Sequence, residues 1–223
     1  MTILTLVLVS LLSWLGYWQL QRAAEKTAML SNEAALARQA PIQWSANQSL
    51  PKQYQPLRVQ GRYLAQSLLL DNQYHAHQIG YDVLTPLLLD TGQIILIDRG
   101  WIPAAADRRK LPDINTPDSP LQLTGQAYYP SDKLWVLGDV IEKKTAKTTL
   151  IEKIDTKIIS QLLHKSVYPF IIRLDQQETH GYVRDWAVIS MPPERHKGYA
   201  LQWFAMALVV IVLFITLNLK KNR

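Results

Sequence analysis

"PERHKGYALQWFAMALVVIVLFITLNL", residues 193–219, holds the pattern that decides the architecture. From Tyr199 to Leu219 the run contains no Asp, Glu, Lys, Arg or His and carries Leu, Val, Ile, Phe and Met throughout. A helix needs about 20 such residues to cross the hydrocarbon at about 1.5 Å per residue, and this run has that length. Working outward, Thr2 to Leu20 is equally free of ionisable side chains. The sequence therefore predicts transmembrane helices at residues 1–20 and 199–219, a polar domain at 21–198 between them, and a short tail at 220–223.

The first run reads as an uncleaved anchor rather than a signal peptide. It lacks a basic stretch before the apolar residues, no small-x-small cleavage site follows it, and it is longer than a typical signal core. Lys220, Lys221 and Arg223 after the second run argue for a cytoplasmic tail, and two spans then put both ends on that side. Arg22, Lys26, Arg195 and Lys197 flank the other ends of the spans. The loop they border is long enough to translocate whatever its charge. Trp14, Tyr17 and Trp18 close the first span while Tyr199 and Trp203 open the second, as an aromatic belt at one interface requires. The expected product is a hairpin in the membrane carrying one extracytoplasmic domain.

The chain has no cysteine, so the domain must hold together through its core, and thiolate metal chemistry is excluded. The net charge of +6 is dispersed, with no basic and aromatic cluster of the kind that binds nucleic acid.

Inside the domain, residues 22–40 are rich in Ala, Glu, Gln and Leu and continue the first helix until Pro41. From Tyr54 the apolar period becomes two. "QPLRVQGRYL", "SLLLDN", "GYDVLTPLLL", "GQIILIDRGWIP", "LQLTGQAYY" and "LWVLGDV" read as strands. "LLLDTGQIIL" reads as a hairpin turning at Asp90-Thr91-Gly92. "ADRRKLPDINTPDSP" is a polar, proline-rich loop with no place in a core. Asp155 caps a helix whose Ile158, Ile159, Leu162 and Leu163 share a face, and "VYPFIIRLD" returns to strand. Pro192 and Pro193 delay the second long helix. The expected fold class is α+β: two transmembrane helices flanking a mostly antiparallel β domain, a partly closed barrel, with one helix.

Several residues invite a chemical reading. Asp90-Thr91-Gly92 matches the aspartic-protease triplet, but that chemistry needs two carboxylates and a hairpin turn explains one triplet. His75 and His77 could share a strand face and a metal, although no third ligand is near and residues 72–78 read as a loop. Asp98 and Arg99 could form an acid–base pair, but as strand neighbours they point to opposite faces, and they read as a structural turn with one salt bridge each. His196 stands one turn before the second apolar run, sharing a helical face with Tyr199, Ala200 and Trp203. It reads either as an interfacial histidine or as a neutral imidazole offered to a metal such as haem iron.

"GYWQLQRAAEK", "GYDVLTPLLLDTGQIILIDRGWIP" and "HKGYALQWFAMA" resemble, in order, signature blocks of the Surfeit-locus-one (Surf-one) family. Glu25 departs from that pattern, which often has an aromatic there. The resemblance implies a non-enzymatic assembly factor for haem–copper cytochrome c oxidase that helps haem a reach subunit I. It implies the bacterial inner membrane with the domain in the periplasm, and membrane lipid, oxidase subunit I and the haem a synthesis machinery as partners. It also implies His196 as the iron ligand. Tyr199, Trp203, Arg22 and Lys26 are then expected around the haem, with propionates near Arg22, Lys26, Arg195 or Lys197, or with Arg22 and Lys26 on lipid phosphates instead. The rival expectations are a haem-free scaffold for an oxidase subunit and, more remotely, an aspartic-type peptidase.

Overall fold

The computed structural model describes residues 2–131, 139–145 and 147–221. Contacts divide the chain into two compact units, residues 1–35 with 187–223, and residues 36–186.

The first unit is built on two long helices, α1 (Thr2–Ala37) and α3 (Pro193–Lys221). Each contains a segment long and apolar enough to span a membrane. α1 ends at Ala37, before the expected Pro41, and α3 starts at the second of the two prolines, where a missing N–H costs nothing. Most of their covered positions follow one rhythm, with Ser13 and Leu15 half-buried outside it on α1. On α1, Thr5, Val9, Leu12, Gly16, Gln19, Ala23 and Lys26 are buried or half-buried, at alternating steps of four and three. On α3, Pro193, His196, Ala200, Trp203, Ala207, Val210 and Phe214 alternate three and four. That spacing averages 3.5 residues, the seam of a left-handed helix pair. Gly16 lies against Phe204 and Gln19 against His196, so the helices run antiparallel. Lipid tails are as apolar as leucine, so such helices associate through close packing rather than through expulsion of water. Small residues serve that end here: a Cβ on Gly16 would sit 2.8 Å from the Phe204 ring. In this register, Trp14, Tyr17 and Trp18 stand level with Tyr199 and Trp203 at one end of the hairpin, the placement expected of an aromatic belt.

Among the described residues, the second unit is a nine-stranded sheet with one short helix. The strands are β1 (Ile42–Gln43), β2 (Pro56–Tyr63), β3 (Ser67–His75), β4 (Gln78–Leu88), β5 (Ile94–Pro103), β6 (Leu121–Tyr128), β7 (Ile141–Lys144), β8 (Thr148–Ile151) and β9 (Val167–Leu174). The order is β1-β2-β6-β9-β5-β4-β3-β8-β7, and β2 also pairs with β4. That extra pairing closes β2-β6-β9-β5-β4 into a five-stranded barrel, and β3, β8 and β7 extend the sheet beyond it. Most pairs are antiparallel; β1–β2, β3–β8 and β5–β9 are parallel.

Alternating residues fill the barrel: Leu57 and Val59 from β2, Leu123 and Ala127 from β6, Ile95 and Ile97 from β5, Phe170 and Ile172 from β9. So few strands leave little room where backbones cross. A Cβ on Gly125 would fall 2.3 Å from the Arg173 carbonyl oxygen, and one on Gly61 2.6 Å from that of Leu88. The opposite face of the same strands carries Ile94, Leu96 and Ile171, covered by Ile159 of α2 (Thr156–Leu163). Asp155 caps α2, accepting from the N–H groups of Lys157 and Ile158, and His164 ends it in a left-handed conformation.

Three sequence expectations change. Residues 72–78 are not a loop: β3 runs to His75, and Ala76 and His77, both with positive φ, form a two-residue hairpin turn. His75 and His77 therefore hold no common metal face, and the His75 ring lies 5.3 Å from that of Trp101. The loop at 106–120 does contribute to a core, since Leu111 and Ile114 pack beside Tyr81 and Val83. Asp98 and Arg99 lie within β5 rather than in a turn, and neither forms an ion pair among the described residues. Arg99 is buried; it donates to the carbonyls of His180 and Asn115 and lies over the rings of Tyr63 and Tyr182. Asp90-Thr91-Gly92 is the tight turn expected, with Leu89 N–H donating to the Gln93 carbonyl and Gly92 at φ +81. The expected strand "LWVLGDV" lies mostly outside the described residues.

Candidate functional site

The polar pair in the helical seam is the candidate site. His196 is 9% exposed, one turn into α3, and its Nδ1 lies 2.7 Å from Oε1 of Gln19. With an amide oxygen facing it, Nδ1 is the donor, and in the neutral ring Nε2 then keeps its lone pair. That second nitrogen is buried and has no hydrogen-bond partner among the described residues. An imidazole oriented through one nitrogen and bare on the other is the arrangement in which histidine binds a metal; the hydrogen bond fixes tautomer and ring angle. The donor type suits haem iron. Nε2 is also closed off from solvent, so a ligand reaching it must displace protein atoms.

The other expected residues divide. Ala200 and Trp203 share the seam with His196, whereas Tyr199 is 43% exposed and faces away from it. The expected common face thus breaks at Tyr199, because the heptad rhythm takes the residue four after His196 rather than three. Arg22 is already engaged: Nη1 pairs with Oε2 of Glu25 at 2.8 Å, and the guanidinium lies 5.4 Å from the Trp18 ring. Glu25, where an aromatic was expected, is thus the partner of that arginine. Lys26 belongs to the seam stripe, seven residues beyond Gln19 and roughly 10 Å along the helix. Its ammonium approaches the Met29 sulfur, and no carboxylate lies within 4 Å of it among the described residues. The sequence reading passed over Gln19. Its signal was an amide in an otherwise apolar run, at a position whose importance depends on the register of the opposite helix.

A family model matches residues 6–208, and its description is the SURF1 family. The chain belongs to the SURF1 family. Its members are oxidase assembly factors, not enzymes. The SURF1-like protein of Rickettsia felis is 25% identical over 225 residues, covering 96% of this chain and 94% of that protein. The SURF1-like protein of Rickettsia conorii is 24% identical over 226 residues, covering 95% and 88%. That of Rickettsia bellii is 24% identical over 221 residues, covering 94% and 87%. Membership spans both long helices as well as the sheet, so the SURF1 match includes His196 and Gln19.

Proposed function

We propose that this SURF1 protein is an inner-membrane factor that holds haem a on His196 and releases it to subunit I of a bacterial cytochrome c oxidase. In this reading the sheet unit lies in the periplasm and the haem a synthesis machinery is the donor partner. The observation that carries it is the unpartnered Nε2 of His196, oriented by Gln19 within the helix pair.

Haem a, when bound, would supply an iron that the imidazole of His196 would hold. Gln19 holds the ring and raises the basicity of Nε2. Trp203 and Ala200 offer an apolar wall beside it, and Tyr199 stands at the lipid-exposed edge. Lys26, without a carboxylate partner, is the better placed cation for a propionate, while Arg22 serves only if it leaves Glu25. Binding and release both require the seam around Nε2 to open, which suits a carrier better than a permanent haem protein.

The enclosure of Nε2 favours a second reading, in which the Gln19–His196 pair fixes the helix register and the protein is a haem-free scaffold for an oxidase subunit. Protein purified from cells that make haem a separates the two. A Soret band in wild type that is lost in His196→Ala supports the carrier; colourless wild-type protein supports the scaffold.

A further inference from the structure

A second place in the molecule holds polar groups that nothing in the fold uses. On the outer face of the barrel, next to the cluster under α2, lies a cavity of about 280 Å³. Its polar wall includes Asp82, Asp98 and Arg173; Leu70, Ile154 and Ile171 supply apolar wall. Asp98 is only 3% exposed, and among the described residues its one hydrogen bond is a long contact of 3.3 Å from the Gly100 N–H. Asp82 makes no side-chain hydrogen bond among the described residues, and neither carboxyl has a cationic nitrogen within 4 Å there.

Strand register makes that isolation informative. Asp98 is the direct partner of Arg173 across β5 and β9, close enough in the backbone for an ion pair. Instead the guanidinium turns aside, 3.6 Å from the Tyr128 ring centre and 5.3 Å from that of Trp186. Its Nε is buried with no hydrogen-bond partner among the described residues. Buried polar groups are normally satisfied, and an unpaired buried charge is expensive. Here an acid pair with no ion-pair contact among the described residues and a guanidinium stacked on aromatic rings border one cavity. Arg173 acts on both carboxyls only through its field.

We propose that this cavity binds a small zwitterion of the α-amino-acid type with a branched aliphatic side chain, its ammonium on Asp82 and Asp98 and its carboxylate on Arg173. The charges balance. Burial holds the Asp98 carboxyl well above the usual range, with Asp82 adding to the effect, and burial raises Asp82 to about 6. Burial disfavours a second negative charge on the acid pair, so a single ammonium suits it. Arg173 supplies the single positive charge for one carboxylate, and the aliphatic wall takes a side chain of leucine size. Glu152 and Lys153 also border the cavity, but the Lys153 ammonium is 3.6 Å from Asp155.

The test is calorimetric titration of the full-length protein in detergent with L-leucine, 3-methylbutylamine, which lacks the carboxylate, and 4-methylpentanoate, which lacks the ammonium. Saturable binding of leucine is expected, at least about tenfold tighter than either half-molecule. Asp98→Asn and Asp82→Asn should each weaken leucine binding at least about tenfold, and Arg173→Gln should lower leucine affinity to that of the amine. Thermal melts confirm that each variant is folded; the two Asn variants preserve side-chain shape. The proposal is overturned if leucine does not saturate, if the amine alone binds as tightly, or if folded Asp98→Asn and Asp82→Asn bind leucine like wild type.

Discussion

Replacing Gln19 by Leu isolates the step on which the functional reading turns. The change keeps side-chain bulk in the seam and removes the acceptor 2.7 Å from His196 Nδ1. Two magnitudes apply. A polar contact between helices in a membrane contributes on the order of 0.6–1.7 kcal/mol, so the hairpin loses little stability. A group that orients a metal-binding histidine sets affinity by about 10–100-fold, equivalent to roughly 1.4–2.7 kcal/mol. Haem affinity should therefore fall about 10–100-fold while the far-ultraviolet spectrum and melting behaviour stay close to wild type. Gln19→Glu keeps an acceptor for the Nδ1 proton and should retain affinity within a few-fold. The assay is haem titration of detergent-purified protein followed at the Soret band, with His196→Ala as the zero. Gln19→Leu binding haem as tightly as wild type would refute the claim that this amide prepares the ligand.

Other consequences follow from the sheet. Gly125→Ala places a Cβ about 2.3 Å from a backbone oxygen that cannot swing away; roughly 3 kcal/mol of destabilisation is expected, lowering the melting temperature by about 6–12 °C. Asp155→Ala removes the cap of α2 and should cost about 1 kcal/mol, or about 2–4 °C, with the Soret behaviour unchanged. The folded Asp82 carboxyl is raised from 3.8 to about 6, so its favourable contribution is complete below pH 3.8 and is lost as pH rises through 6. Melting of the ligand-free protein should therefore rise from pH 7 to pH 5, and Asp82→Asn should flatten that slope; an unchanged slope removes Asp82 as its source. Asp90→Asn and wild type should be equally inactive on unfolded peptides, since Asp90 sits in an exposed turn.

The sequence displayed the elements more clearly than their connections. Strands such as Leu121–Tyr128 alternate inward and outward residues, and the long helices are uniform apolar runs, so composition and period suffice for both. The turn at Ala76–His77 was hidden because its positive φ angles are borne by residues that do not advertise them; Asn-Gly would have. Barrel closure was only partly legible, since it depends on β2 meeting β4, a pairing that leaves no local mark beyond Gly61. At the candidate site His196 stood out as the ring before an apolar run. Gln19, distant along the chain, becomes its partner only when the heptad seams of α1 and α3 are aligned. Asp98 was misjudged for a related reason. Its strand neighbours suggested an ion pair, but Arg173 turned toward aromatic rings instead.

The protonation state of the His196 ring tests the central claim most directly. Nitrogen-15 spectra of histidine-labelled protein in lipid nanodiscs, assigned by comparison with His196→Ala, report each ring nitrogen separately. The structure predicts a protonated Nδ1 and a bare Nε2, and haem addition should perturb the Nε2 resonance first. A protonated Nε2, or a His196 spectrum indifferent to saturating haem, would contradict the assignment of this histidine as the iron ligand.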